Sequence, residues 1–268
     1  MKKIILALAV AVSLSVAAFG ETIPVTIDGS AGKLSAVIQK PEGDKLPLVM
    51  ILHGFTGNKN EKLLRTLADA LEAKGAASIR FDFNGHGGSE GDFINMTVLN
   101  EIEDAKQVYA YVRDLKWVDG VSIAGHSQGG VVSSMVAGEL GVDDIKKVVL
   151  LAPAAVLRDD ALRGDIMGFK YDAGNPPAEG VKIYGDYVLG RNYILTAQTL
   201  PIYETAAKFT GPACVIHGTG DRIVPYTYGE RYNAGYKNGE LHLLEGADHG
   251  FTGFEDEAAA IAVSFLTK

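Results

Sequence analysis

Cysteine is nearly absent from this 268-residue chain, and basic residues are outnumbered by acidic ones. The only cysteine, Cys214, cannot form an internal disulfide, and its apolar neighbours predict a small buried core residue. With 25 lysines and arginines against 33 acids, the net charge is −8, so nucleic acid is not an expected partner. No two histidines have the helical spacing of a metal-binding motif, and we expect neither a metal nor another cofactor.

Long apolar runs are missing except at the amino terminus. Met1–Lys3 is a basic start, residues 4–18 are almost entirely apolar, and the small residues Ala18 and Gly20 precede Glu21. This pattern is typical of a cleaved secretory signal, and the run is shorter than the about 20 apolar residues of a membrane span. We therefore expect residues 1–20 to be a signal peptide. The mature protein is expected to be exported to the periplasm or secreted, without stable membrane insertion.

After Glu21, short apolar segments alternate with segments of helical periodicity. The predicted strands are Ile23–Asp28, Leu34–Gln39, Leu46–Leu52, Ala76–Phe83, Val121–Ala124, Lys147–Ala152, Ala213–His217 and Leu241–Leu244. The predicted helices are Asn60–Lys74, Val98–Leu115, a segment that begins near Val131, and Glu255–Leu266. The first two strands are predicted to form a hairpin at a sheet edge. The alternation predicts an α/β fold with a mostly parallel, twisted sheet and helices on both faces.

One interval interrupts this alternation. About sixty residues separate Ala152 from Pro212, where a single helix would suffice, and they are rich in glycine and include Tyr171, Tyr184, Tyr187 and Tyr193. Insertions of this length are usually lids or binding loops. A disordered linker is the alternative, but the tyrosines and aliphatic residues favour a packed segment. We expect residues 21–268 to form a single domain with a cap insertion at about 156–200.

The motif Gly-x-Ser-x-Gly at Gly125–Gly129 lies between a predicted strand and a predicted helix. Such a turn forces its serine into a strained conformation and leaves no room for side chains two positions away. The hydroxyl of Ser127 would then be held out at the carboxyl end of the sheet as a nucleophile. The motif alone also fits a simple glycine-rich turn, so its partners decide the interpretation.

A serine needs a base, and the base needs a carboxylate. His249 follows the last predicted strand and Asp221 follows the strand before it, so both lie on the same edge as Ser127. The order Ser127, Asp221, His249 is that of an α/β-hydrolase triad. Asp248 is a weaker choice of acid because a sequence neighbour can rarely reach back to orient His249. The other histidines are interpreted as structural or lining residues: His53, His86, His126, His217 and His242.

Acyl transfer also needs donors for the developing oxyanion. The backbone N–H of Gln128, directly after the nucleophile, is the first candidate. Phe55, in the loop after the strand Leu46–Leu52, is the second.

With these residues, the chain resembles the α/β-hydrolase superfamily over nearly all of the mature sequence, and more narrowly the bacterial cinnamoyl (feruloyl) esterases. The segments that carry the resemblance are Leu52–Gly57, Arg80–Gly87, Asn95–Asp104, Gly125–Val132, Leu150–Ala155, Leu200–Glu204 and Glu245–His249. The resemblance implies the α/β-hydrolase fold and a serine carboxylesterase that hydrolyses hydroxycinnamate esters through an acyl-enzyme. It also implies that Asp160 and Tyr193 contact the phenolic hydroxyls, and that export serves the breakdown of plant-wall fragments.

Other functions remain open at this point. Within the same fold, the chain could be a general short-acyl esterase or an exopeptidase-like serine hydrolase. A non-catalytic binding protein is a further alternative, since a fold does not dictate its function. The sequence leaves open whether the chain forms a homodimer.

Overall fold

The computed structural model describes residues 20–268, so almost all of the predicted signal peptide lies outside the described residues. The strands are β1 (Glu21–Gly29), β2 (Gly32–Lys40), β3 (Leu46–Leu52), β4 (Ala77–Phe81), β5 (Val118–His126), β6 (Ile145–Leu151), β7 (Asp165–Ile166), β8 (Phe169–Lys170), β9 (Val181–Lys182), β10 (Val188–Leu189), β11 (Pro212–Gly218) and β12 (Asn238–Leu244). The helices are α1 (Lys62–Glu72), α2 (Val98–Arg113), α3 (Gln128–Leu140), α4 (Val156–Arg163), α5 (Arg191–Ala197), α6 (Ile202–Ala206), α7 (Thr227–Gly235) and α8 (Glu255–Leu266).

Eight strands form one sheet in the order β1-β2-β4-β3-β5-β6-β11-β12. Strands β1 and β2 form an antiparallel hairpin, and β2 pairs with β4 in the antiparallel direction. The other six strands of this sheet are parallel to one another: β4, β3, β5, β6, β11 and β12. The predicted mostly parallel α/β sheet with an edge hairpin is therefore confirmed. Because the parallel strands run together, the loops after β3, β5, β11 and β12 meet at one edge of the sheet.

Both faces of this sheet are covered, as the strand sequences require. In β3, Leu48, Met50 and Leu52 join the larger hydrophobic cluster, with α2 and α3, while Val49 and Ile51 join the second cluster, with α1 and α8. Successive side chains of a strand point to opposite faces, so an unbroken apolar run can fill two cores at once.

The insertion between β6 and β11 is folded rather than linker-like. It contains α4, the two-stranded pairs β7–β8 and β9–β10, and the short helices α5 and α6. Its apolar side chains, among them Ile183, Leu189 and Ile194, are buried in the larger cluster. The sequence predicted an insertion but not its helices, since each has eight residues or fewer. Helix α4, for example, ends at Gly164, whose φ is 70°.

Within residues 20–268, none of the helices combines the length and the apolar character needed to cross a bilayer.

Candidate active site

Ser127 lies at a sharp turn between the end of β5 and the start of α3. Its φ of 56° and ψ of −122° are strained for a residue with a side chain. The neighbouring glycines are required by packing. A Cβ atom on Gly125 would lie 2.1 Å from the carbonyl oxygen of Gly129, and one on Gly129 would lie 2.3 Å from that of His53. The turn can therefore form only with glycine on both sides of the serine.

Three side chains from separate loops form a continuous hydrogen-bonded chain at this edge of the sheet. Nε2 of His249 lies 2.9 Å from Oγ of Ser127, and Nδ1 of His249 lies 2.7 Å from Oδ2 of Asp221. Because the carboxylate can only accept, Nδ1 carries the proton and Nε2 accepts from the serine hydroxyl. The structure thus brings together the three residues that the sequence suggested as nucleophile, base and orienting acid.

Asp221 is held by four donors. Oδ1 accepts the backbone N–H groups of Ile223 and Val224 at 2.9 and 2.8 Å, and Oδ2 faces Nε2 of His217 at 3.2 Å as well as His249. Burial alone would raise the pKa of Asp221, but the hydrogen bonds from His217 and His249 hold it well below its usual range. Asp221 is therefore a carboxylate at neutral pH, as the orienting role requires.

Two of the remaining histidines have specific contacts that the sequence did not indicate. His217 is fully buried, and its Nε2–H also donates to the carbonyl oxygen of Val224 at 3.0 Å. His126 donates from Nε2 to the carbonyl oxygen of His249 at 2.8 Å, and burial together with His249 lowers the pKa of His126 to about 4. Both histidines fix elements of the site. For His217, the only sequence signal was its place at a strand end four residues before Asp221.

The loop after β3 approaches the nucleophile closely. A Cβ atom on Gly54 would lie 2.8 Å from Cβ of Ser127, so only glycine fits at this position. Phe55 follows Gly54 and, like Gln128, lines the same cleft as Ser127. The two residues suggested as oxyanion donors therefore flank the serine, Phe55 from the loop after β3 and Gln128 from the start of helix α3. Free N–H groups at a helix start favour negative charge.

The loop is fixed from both sides. His53 donates from Nδ1 to the carbonyl oxygen of Gly54 at 2.8 Å and accepts the backbone N–H of Phe83 at Nε2 at 3.0 Å. Burial lowers the pKa of His53 to about 3, so it stays neutral and structural. On the outer side, Oγ1 of Thr56 lies 2.7 Å from the hydroxyl of Tyr184 in the insertion.

A cleft that is partly open to solvent leads to Ser127, with about 450 Å³ of empty space when the solvent at its mouth is included. Most of its lining is apolar and comes from the insertion and the loop after β11: Ala154, Val156, Leu157, Ile166, Met167, Ile223 and Val224. Asp160 and Tyr193, the residues that the family resemblance assigned to substrate, both lie in this lining. A mostly apolar lining with a few polar groups is typical of a site for small molecules.

Asp160 and Tyr193 differ in their surroundings. Asp160 pairs with Arg163, and burial raises the pKa of Asp160 to about 6 despite that pairing. Tyr193 is buried and donates its hydroxyl proton to Oε1 of Gln128 at 2.7 Å. Oε2 of the buried Glu101 accepts from Nε2 of Gln128 at 2.8 Å. The sequence did not single out Glu101.

Within residues 20–268, one group of side chains offers a possible metal-ligand set. Ligand-type atoms of Cys214, Glu240 and His242 lie within 4.8 Å of one another on the adjacent strands β11 and β12. Cys214 is fully buried, as its sequence context predicted. Burial raises the pKa of its thiol, with a further contribution from Glu240, which disfavours the thiolate that a metal would bind.

Comparison with known proteins decides the family. A family model described as serine aminopeptidase, S33, matches residues 43–169. The solved structure of Est1E from Butyrivibrio proteoclasticus, with ferulic acid bound, is 30% identical. The match covers 91% of this chain and 100% of that chain, with a TM-score of 0.85.

The chain belongs to the α/β-hydrolase family.

This α/β-hydrolase is a serine hydrolase of the esterase type. A monoacylglycerol lipase from Mycolicibacterium smegmatis is 26% identical over 219 residues, which are 69% of this chain and 74% of the lipase. An uncharacterized 31.7 kDa protein of Escherichia coli, from the traX-finO intergenic region, is 25% identical over 249 residues. These residues are 80% of this chain and 87% of the Escherichia coli protein. The α/β-hydrolase fold and the general type of reaction are therefore established by both sequence and structure.

Proposed function

We propose that the protein is a carboxylesterase that hydrolyses hydroxycinnamate esters of the feruloyl type through an acyl-enzyme. The observation that carries this proposal is the hydrogen-bonded chain Ser127–His249–Asp221 at the mouth of an apolar cleft that contains Asp160 and Tyr193. The relative with ferulic acid bound supports the choice of acyl group.

In the first half of the reaction, Oγ of Ser127 attacks the ester carbonyl carbon while Nε2 of His249 takes the serine proton. The carbonyl oxygen becomes negative and is stabilised by the N–H groups of Phe55 and Gln128. The tetrahedral intermediate collapses, the ester C–O bond breaks, and His249 gives its proton to the departing alcohol. The acyl group remains bonded to Oγ of Ser127 as an ester.

The second half repeats these steps with water as the nucleophile. His249 takes a proton from the water, the same two N–H groups stabilise the second tetrahedral intermediate, and the proton then returns to Ser127 as the free acid leaves. Asp221 keeps the imidazole in the required tautomer and stabilises its charged form in both halves.

The insertion acts as the cap of this single domain and supplies the acyl pocket. The aromatic ring of the acid lies against the apolar lining, and Asp160 and Tyr193 contact its phenolic hydroxyl. This placement puts the donor and acceptor groups at one end of a flat ring and the reacting carbonyl at the other.

A general short-acyl esterase or an exopeptidase-like hydrolase is the second candidate. The matching family model is described as a serine aminopeptidase, and one relative is a monoacylglycerol lipase. The apolar lining, which has only a few polar groups, favours an aryl-containing acid over a charged amino-terminal residue.

The test compares hydrolysis of methyl ferulate, p-nitrophenyl acetate and an aminoacyl anilide by the purified protein. The proposal expects the highest kcat/KM for methyl ferulate, and Ser127→Ala should abolish turnover and labelling by a fluorophosphonate. A preference for the anilide or the acetate would assign the second candidate. Labelling that persists in Ser127→Ala would show that another residue is the nucleophile.

Export completes the proposal. Cleavage after residue 20 would release a protein that begins at Glu21, the first residue of β1. Amino-terminal sequencing of the protein from a periplasmic or culture fraction tests this, and a terminus that still begins at Met1 contradicts it.

A further inference from the structure

A line of hydrogen bonds runs from helix α2 through the first residue of α3 to helix α5 of the insertion. Oε2 of Glu101 accepts from Nε2 of Gln128 at 2.8 Å, and Oε1 of Gln128 accepts from the hydroxyl of Tyr193 at 2.7 Å. All three side chains are at most 3% exposed. Gln128 directly follows Ser127, and Tyr193 lines the cleft, so this line connects a buried carboxyl group to the substrate site.

The direction of these bonds is set at the Glu101 end. A carboxylate can only accept, whereas an amide group donates at its nitrogen and accepts at its oxygen. When Glu101 is ionised, Gln128 must therefore turn its N–H toward Glu101 and its oxygen toward Tyr193. The single hydroxyl proton of Tyr193 is then donated to Gln128. Toward the cleft, the hydroxyl oxygen of Tyr193 can therefore only accept a hydrogen bond.

The reverse direction is available when Glu101 is neutral. The carboxyl group can donate from Oε2 to the oxygen of Gln128 after a half-turn of the amide, and the amide N–H then donates to Tyr193. Among the described residues, Oε1 of Glu101 is buried without a hydrogen-bond partner. Buried acceptors without a partner are better tolerated than buried donors, so the proton of the neutral acid belongs on Oε2. In this state Tyr193 has its own proton free for a ligand.

We propose that Glu101 is a positioning residue that determines whether Tyr193 presents an acceptor or a donor to a ring substituent in the cleft. This inference rests on the proposed function, because it assumes that an aromatic acid occupies the cleft. Ionised Glu101 favours ring substituents that donate a hydrogen bond, and neutral Glu101 favours those that only accept.

The charge of Glu101 can change within an accessible pH range. Burial raises the pKa of Glu101 to about 8, a rise opposed by the hydrogen bond from Gln128 and increased by Asp104 on the same helix. Tyr193, the ionisable group that faces it from α5, has a pKa raised well above its usual value by burial. Asp160, in the same cleft, has a pKa of about 6. Between pH 7 and 9.5, Glu101 is therefore the member of this set that changes charge.

The experiment compares two methyl cinnamates of equal size as substrates, one with a 4-hydroxymethyl group and one with a 4-methoxy group. Only the first can donate a hydrogen bond, and neither ionises in this range. The ratio of their kcat/KM values cancels effects of pH on the catalytic steps that the two substrates share. We expect the ratio in the wild type to rise about fivefold from pH 7 to 9.5, the value of one neutral hydrogen bond. The ratio should be independent of pH in Glu101→Gln.

Two variants separate this role from a merely structural one. Glu103→Gln removes an exposed carboxylate from the same helix and should keep the wild-type rise. Tyr193→Phe removes the hydroxyl group that responds to the charge of Glu101, so the ratio of the two kcat/KM values should not change with pH. This variant tests the inference even if Glu101→Gln folds poorly. A merely structural Glu101 would lower both kcat/KM values together and leave the rise in place.

A ratio that stays flat in the wild type, or that rises equally in Glu101→Gln, overturns the inference. Failure of the proposed function has a different signature, namely that the wild type hydrolyses p-nitrophenyl acetate but neither cinnamate. Binding of the two free acids to Ser127→Ala, measured by calorimetry over the same pH range, then gives the preference without turnover. A binding ratio that does not change with pH overturns the inference in that case also.

Discussion

His217 and His249 face the same carboxylate oxygen, Oδ2 of Asp221, at 3.2 and 2.7 Å. Asp221, the proposed orienting acid, is thus itself oriented by His217. The same Nε2–H of His217 also donates to the carbonyl oxygen of Val224. The carboxylate has little freedom to rotate, and the imidazole of His249 is held in turn.

Replacement of His217 by alanine should therefore impair catalysis without touching the substrate. We expect kcat to fall about tenfold, and the free energy of unfolding to fall by about 2 kcal/mol, because a buried hydrogen bond to a charged group is lost. Steady-state kinetics and urea unfolding measure the two effects. An unchanged KM is part of the expectation, and a rise in KM with unchanged kcat would contradict the role assigned to His217.

Asp221→Asn should lower kcat by about 10⁴-fold, because an asparagine amide no longer selects the required tautomer of His249. Asp248 is the matched control. Its carboxylate accepts from the backbone N–H of Thr252 at 2.8 Å, and the side chain is exposed. We expect Asp248→Asn to retain most activity. If Asp248→Asn proved the more damaging change, the assignment of the acid would be wrong.

Gly54→Ala should lower kcat about 100-fold, since the added methyl group would push the loop that carries Phe55 away from Ser127 and remove one oxyanion donor. Gly235 is a suitable comparison because a Cβ atom there would meet nothing within 4 Å. Gly235→Ala should leave activity unchanged. Equal activities of the two variants would contradict the proposed contact between the loop and the nucleophile.

The strained backbone of Ser127 should be visible in stability. At a φ of 56°, glycine is favoured over alanine, so Ser127→Gly should be more stable than Ser127→Ala by about 1 kcal/mol. At Ser133, within helix α3, the order should reverse, because glycine costs about 1 kcal/mol relative to alanine in a helix interior. Urea unfolding of the four variants checks both. The same order at both positions would argue against strain at the turn.

Stability should depend on pH with opposite signs at two buried carboxyl groups. The folded protein holds the Glu101 proton to about pH 8, whereas an unfolded glutamate releases it at about 4.3, so the contribution of Glu101 is full below 4.3 and decreases as the pH rises toward 8. The pKa of Asp221 is lowered, so its contribution is present above about 3.9 and is lost on further acidification.

Relative to the wild type, Glu101→Gln should therefore gain stability from pH 5 to 8, by at most about 1.4 kcal/mol per pH unit. Asp221→Asn should be most destabilising at neutral pH, with a cost that shrinks below pH 4. Urea unfolding of the three proteins across this range measures both trends. A difference between Glu101→Gln and the wild type that is constant with pH would show that Glu101 titrates normally.

The sequence predicted the framework and the convergence of three side chains because both follow from regular rules. Alternating strands and helices place the loops after β5, β11 and β12 at one edge, and Gly125 and Gly129 mark the sharp turn. The roles of His217 and Glu101 were not predictable in the same way. Each depends on a contact between elements distant in the chain, and the residue types at those positions are equally common in ordinary cores.

The helices of the insertion were missed for a related reason. Segments of seven or eight residues, such as α4 and α5, are too short for a clear apolar period, and their stability comes from packing on the larger cluster rather than from local preference. The boundaries of β5 were also underestimated. Gly120 and His126 are polar or small, yet both belong to the strand that ends at the nucleophile.

Cys214, the only cysteine of the chain, can serve as a probe of local opening of the sheet. Cys214 is fully buried in β11, whose carboxyl end leads into the loop with Asp221. A thiol reagent can modify it only when that strand opens, so the labelling rate records how often β11 separates from its neighbours in the sheet. Substrate analogues that hold Asp221 and His249 together should slow this labelling, so that ligand binding could be followed by modification of a residue that does not line the cleft.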